Sequence, residues 1–234
     1  MYRYTLVGSA EPKDFSLGSN DQIKHITSSE KYLVAGLDKY LKKVDIASEK
    51  INEANIGFRD PASNIADLKI TNNQKYSIAV SRTTSEVMVV DNEHWKYCGG
   101  TTHVLDHTVK LLVIDKQNYI LYNSHADIQH CILQDTKPLK TDRRILPEEQ
   151  QTPSVTSQCH SIKISLKSEL VNKVETKIKI SSVFNPENTD FLIILSSNVN
   201  KLYVINIKSH LTSIASLNKE IIPVLQTVNL PENY

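Results

Sequence analysis

Residues 78–92 read IAVSRTTSEVMVVDN: an apolar start, a polar Arg-Thr-Thr-Ser centre, and a second apolar run closed by Asp-Asn. This spells strand, tight turn, strand, because Ser, Thr, Asn and Asp favour reversals through hydrogen bonds from their own side chains. The layout recurs as VAGLDKYLKKVDIAS from Val34, ILYNSHADIQHCILQ from Ile120 and IILSSNVNKLYVINI from Ile193. The four starts lie 44, 42 and 73 residues apart. The first two intervals match the period of about 40 to 45 residues expected of propeller blades. The third exceeds it by about 30, which an insertion explains.

Working outward, a second apolar pair precedes each segment: Ile23 and Ile26, Ile65 and Leu68, Val109 and Leu112, Ile180 and Val183. From the first member to the segment start the offsets are 11, 13, 11 and 13 residues. Turn-forming residues fill each gap, at Thr27–Lys31, Thr71–Lys75, Asp115–Asn118 and Asn185–Asn188. The unit is therefore three strands joined by turns, repeated four times. A fourth strand is placed near Ile56–Phe58, Val104–Leu105, Ile145–Leu146 and Ile214–Leu217. Runs such as Tyr32–Ala35, Val87–Val90 and Phe191–Leu195 are too continuously apolar for a sheet with one wet face. Both faces must be covered, as when blades stack. The expected fold class is all-β: a β-propeller with about four recognisable blades, an incomplete or open ring.

Residues 1–134 hold three units, and 176–234 hold a further blade. Residues 135–175 are polar and carry Pro138, Pro147 and Pro153, so they read as an insertion or loop. Ile221–Asn229 reads as the first strand of a fifth unit, and its stop at Tyr234 as truncation. Four units leave sheet edges and faces uncovered, so more chain or a partner is required to close the ring. With 27 basic and 26 acidic residues, the net charge of +1 demands neither nucleic acid nor a membrane. Neither a signal peptide nor an apolar run of about 18 residues occurs, which points to nucleus or cytoplasm. Cys98, Cys131 and Cys159 form an odd set without close pairing and read as thiols. Gly numbers only 6, so the turn glycines of a repeat protein have largely been replaced.

No signature of chemistry stands out. His125, Asp127, His130 and Cys131, with His103 and His107 upstream, are the densest metal-type group, yet they straddle a hairpin turn and lack the spacing of four convergent ligands. A metal-dependent hydrolase using residues 94–131 is the alternative enzyme reading. Cys98-Gly99-Gly100 reads as an ordinary turn, and no phosphate-cradling glycine loop is present. No catalytic, cofactor-binding or metal residue is assigned, and no cofactor. Lys137, Lys140, Arg143 and Arg144 are candidate contacts to a partner or to RNA, although acidic residues are interleaved with them. Trp95 is either an interface anchor or packs beneath its own loop. Tyr32, Tyr76, Tyr119 and Tyr203 read as blade packing.

The third strand of a WD repeat commonly ends in Trp-Asp. At that place stand Val44-Asp45, Val90-Asp91 and Ile205-Asn206, whereas the third unit ends Leu133-Gln134 and departs from the pattern. The chain thus resembles the WD-repeat family over about residues 20–134 and 175–210, without that family's Gly-His pair. The resemblance makes Asp45, Asp91 and Asn206 the blade-turn residues. More narrowly, Ile78–Leu133, with Trp95 after the third strand, is similar to the WD-repeat accessory subunit of the tRNA 7-methylguanosine methyltransferase. In that family's next hairpin this chain retains only Asp127 of an Ala-Asp-Lys-x-Gly-Asp-x-Tyr pattern. The resemblance implies a non-catalytic scaffold for protein–protein interaction that holds a methyltransferase catalytic subunit and helps seat tRNA.

Overall fold

The computed structural model describes residues 3–4, 13–14, 22–52, 54–103, 105, 109–135, 155–164, 166, 169–171, 174–186, 189–208 and 221–231. Strands β1 (Arg3–Tyr4) and β2 (Lys13–Asp14) pair with each other. Blade 1 follows as β3 (His25–Ser28), β4 (Tyr32–Gly36), β5 (Tyr40–Asp45) and β6 (Ile56–Gly57), each antiparallel to the next. Blade 2 repeats the order with β7 (Ile65–Ile70), β8 (Tyr76–Ser81), β9 (Glu86–Asp91) and β10 (Lys96–Thr102). Blade 3 consists of β11 (Lys110–Val113), β12 (Asn118–Tyr122), β13 (Ile128–Asp135) and β14 (Val155–Ile164). A short hairpin, β15 (Glu169–Val171) with β16 (Val174–Thr176), leads to blade 4. That blade comprises β17 (Ile180–Phe184), β18 (Phe191–Ser196), β19 (Lys201–Asn206) and β21 (Val224–Asn229), while β20 (Ile221–Ile222) runs parallel to β14.

The cores lie between the blades, which is why the strands are apolar on both sides. Val34 and Leu41 of blade 1 meet Leu68, Ala79, Met88 and Val90 of blade 2. Ile78, Val80, Val87 and Val89 point the other way, against Val109, Leu111, Tyr119 and Leu121 of blade 3. Ile114, Ile120 and Ile128 in turn meet Ile180, Leu192, Ile194 and Tyr203 of blade 4. Side chains alternate across a strand, so a central strand such as β8 is buried along its whole length. Each fully covered Val, Leu or Ile is worth roughly 1.5–3 kcal/mol over its exposed state. Hydrogen bonds from the backbone tie neighbours together as well: the Leu111 N–H donates to the Asp67 carboxylate Oδ2 at 2.8 Å, and the Ile180 N–H to the Ser124 carbonyl at 3.0 Å.

Four expectations are corrected. The fourth strand of the second unit is Lys96–Thr102, not Val104–Leu105. Part of the 135–175 insertion, Val155–Ile164, is a ten-residue strand that completes blade 3. Within Ile221–Asn229, β21 is the outer strand of blade 4 rather than the opening of a fifth unit. Finally, Cys131 and Cys159 are not thiols: their positions face each other across β13 and β14, Cα atoms 4.1 Å apart, and they form a disulfide. The positions 145–146 and 214–217 lie outside the described residues.

Scarce glycine is offset by other residues taking the left-handed conformation in turns. Glu49, Gln74, Trp95, Ala126 and Asn200 have φ of 58°, 62°, 48°, 68° and 44°. The two adjacent glycines of β10 meet a different need. A Cβ on Gly99, where φ is +155°, would sit 1.7 Å from the Val155 carbonyl oxygen, and one on Gly100 would sit 2.1 Å from that of Val87. The pair is therefore a close-approach point where β14 crosses onto blade 2, not an ordinary turn.

Candidate interaction surface

The blade-turn residues act through their side chains. Asp91 Oδ1 accepts the backbone N–H groups of Glu93 and His94, both at 2.9 Å. Asp45 Oδ1 accepts from Ser48 N and Oγ at 3.0 Å, and these bonds hold its carboxyl below the usual range. Asn206 Oδ1 accepts from Lys208 N at 2.8 Å. Beside Asp91, the wholly buried Asn92 receives Ser77 Oγ at 2.6 Å and donates to the Gln74 carbonyl at 2.9 Å. Its own carbonyl accepts the Lys43 ammonium, which reaches across from blade 1 between the rings of Tyr32 and Trp95, 4.8 and 5.4 Å from their centroids. Burial lowers the Lys43 pKa.

Trp95 is therefore no exposed anchor. It is 4% exposed, and its Nε1 donates to the Ala54 carbonyl at 2.8 Å, so the indole packs beneath its own loop and pins the segment before β6. Tyr76, Tyr119 and Tyr203 are buried in the inter-blade cores, and Tyr32 packs at the edge of one. Lys137, Lys140, Arg143 and Arg144 lie outside the described residues.

The His-rich group does not converge. His125 and Asp127 are exposed in the β12–β13 turn, where Asn123 Oδ1 accepts both of their backbone N–H groups at 3.0 Å. His130 is buried with Nε2 2.8 Å from Asn118 Oδ1, and Cys131 is tied to Cys159. His103 is buried near Leu105, and burial lowers its pKa; His107 lies outside the described residues. Among the described residues no three His, Cys, Asp or Glu side chains are placed to hold a metal ion. The buried Cys98 thiol points at the Val89 carbonyl, 3.3 Å away, and burial pushes its pKa up to about 12. Such a thiol stays protonated at neutral pH and is a poor nucleophile.

What the tertiary structure assembles instead is a cleft of about 880 Å³ on the outer rim, where β10 of blade 2 meets the start of β14. Its floor is the Gly99–Thr102 backbone, and its walls include Arg59, Glu86, Tyr97, Val155 and Thr156. The Glu86 carboxylate is committed to the loop after β6, accepting Arg59 N at 3.0 Å and Asp60 N at 3.3 Å. This fixes Arg59, whose guanidinium lies 4.8 Å over the Tyr97 ring. A planar cation held on an aromatic face beside strand backbone suits a polypeptide segment carrying a carboxylate. Nothing in the local sequence marks Arg59 or Tyr97, because their meeting depends on the β9–β10 register and on a contact from Glu86, 27 residues beyond Arg59.

No family model matches the chain, and no curated protein matches it by sequence. Solved structures do match in shape. The Myceliophteria thermophila Cps50 (Swd1) β-propeller domain aligns with a TM-score of 0.60 at 10% identity, over 89% of this chain and 56% of that one. A protein of Desulfotomaculum acetoxidans of unknown function gives 0.57 at 12% identity, over 91% and 58%. A chain of the Mitotic Checkpoint Complex gives 0.52 at 9% identity, over 80% and 48%. This chain thus spans about half the length of the structures it matches. At such identities the likeness speaks for the fold alone, and that fold, reached independently from the repeat and from the stacked blades, is the β-propeller.

Proposed function

We propose that this protein is a non-catalytic, WD-repeat-type scaffold that binds a protein partner through the rim cleft between blades 2 and 3. The observation that carries the reading is the Arg59–Tyr97 stack beside the Gly99–Thr102 backbone of β10. It offers main-chain and carboxylate recognition without any group poised for bond-breaking. One of the propellers similar in shape belongs to a multiprotein assembly, the Mitotic Checkpoint Complex, which supports a role of this kind. The more specific reading, from the likeness of Ile78–Leu133 to the tRNA 7-methylguanosine methyltransferase accessory subunit, is that the partner is a methyltransferase catalytic subunit and the complex receives tRNA. Trp95 serves this role indirectly, by bracing blade 1 against blade 2. Co-expression with such a catalytic subunit tests it: the two chains should co-purify and methylation of tRNA should rise, and Arg59→Glu should weaken capture. A lack of both co-purification and stimulation would refute the specific reading. Capture of partners unaffected by Arg59→Glu would refute the cleft.

A further inference from the structure

Strand β14 serves two blades at once. Residues Val155 to Ile162 pair antiparallel with β13, whereas Val155 and Thr156 alone pair, in parallel, with Gly99 and Gly100 of blade 2. These first two residues are also a wall of the rim cleft. The Cys131–Cys159 bond crosses from β13 to β14 shortly beyond that wall. Val155 and Cys159 lie on one face of β14, packed into the core between blades 2 and 3 together with Cys131 and Cys98. The bond closes a loop, with a sequence separation of 28, that contains residues 155–158. Any opening of the cleft wall therefore takes place inside a closed ring of chain. Such a ring removes much of the conformational freedom that the opened segment would otherwise gain.

We propose that the Cys131–Cys159 bond is a redox latch on the rim cleft. Oxidised, it holds Val155 and Thr156 in place as a wall; reduced by a dithiol, it lets that end of β14 part from β10, and the cleft loses its shape. The two sulfurs differ in access. Cys131 is 0% exposed while Cys159 is only half-buried, so an incoming thiolate meets Cys159 Sγ. The S–S bond breaks, Cys131 leaves as a thiolate and takes up a proton, and Cys159 is held to the reductant as a mixed disulfide. The reductant's second thiol, having lost its proton, then displaces Cys159, which is protonated in turn. Two electrons have passed to the protein, which ends with two thiols, and the dithiol ends as a disulfide. The parting occurs at the N-terminal end of β14 because only two residues tie it to blade 2.

Control of partner capture by this latch rests on the scaffold reading, but the latch itself is tested without any partner, and Arg59→Glu tests the scaffold reading separately. Cys98 is the reporter: it lines the cleft beside Gly99 and is 7% exposed. It is the sole thiol both in the oxidised full chain and in Cys131→Ser combined with Cys159→Ser. Its alkylation by iodoacetamide, followed by mass spectrometry, should run at least about tenfold faster in the double variant. Hydrogen exchange of the unsubstituted chain, oxidised or reduced with dithiothreitol, reads the same opening without any change of sequence. Residues 155–158 and 99–102 should exchange at least about tenfold faster after reduction, while blade 1 keeps its rates. A reduced chain that retains its β-sheet circular dichroism and protects residues 155–158 as well as the oxidised chain overturns the latch. So does a reduced chain in which every blade exchanges faster by the same factor, because the bond is then a general staple.

Discussion

Replacing Gly99 by alanine tests the joint on which the blade 2–blade 3 assembly rests. The added Cβ would lie 1.7 Å from the Val155 carbonyl oxygen and 2.8 Å from its carbonyl carbon. An ordinary contact needs at least about 3.4 Å, so the strands must separate by well over an ångström. The obstructing atoms are backbone and cannot swing away. Such a shift breaks the two-residue parallel pairing of Gly99 with Val155 and Gly100 with Thr156. Two lost backbone hydrogen bonds contribute about 1 kcal/mol each. Partial exposure of Val155, now 2% exposed, adds about 1 kcal/mol more. The expected loss is roughly 3 kcal/mol, or a fall in melting temperature of roughly 6–12 °C for a chain of this size. Differential scanning fluorimetry measures the shift, and hydrogen exchange should show faster opening at residues 155–157. Thr101→Ala, on the same strand but half-exposed, should change stability by less than about 0.5 kcal/mol. A Gly99→Ala protein melting within about 2 °C of the parent would refute the close-approach argument.

Three further outcomes follow from other sites. The Cys131–Cys159 bond closes a loop with a sequence separation of 28, so Cys159→Ala should cost roughly 3–4 kcal/mol by chain-entropy reasoning, read by urea titration against the oxidised parent. Thiol counting in denaturant should find one free thiol, Cys98, and a count of three would contradict the pairing. His25 and His103 have pKa values lowered from 6.5 by burial, so the folded state binds fewer protons than the unfolded chain. Stability should be full above pH 6.5 and fall as pH drops below it, with a shallower fall in His103→Gln; no change in melting temperature between pH 7.5 and 5.5 would count against this. Ala126, at φ 68°, pays the usual cost of a left-handed residue, so Ala126→Gly should stabilise by about 0.5–1 kcal/mol, visible as a melting shift of roughly 1–4 °C.

The amino-acid sequence by itself determined the all-β class, the three-strand unit, its four occurrences and the turn chemistry of Asp45, Asp91 and Asn206, because these depend on alternation and on side chains bonding within a few residues. The Val155–Ile164 strand was concealed in a polar stretch, since its place is set by β13 on one side and the glycine gap of β10 on the other. Cys131 and Cys159 carry no spacing signal; only the antiparallel register brings them opposite. Trp95 was legible as an aromatic after the third strand, but its burial depended on the Ala54 carbonyl arriving from blade 1. The Arg59–Tyr97 cleft belongs entirely to tertiary structure. Local patterns state that a strand is apolar on both sides, whereas which neighbour covers each side is decided by how the blades stack.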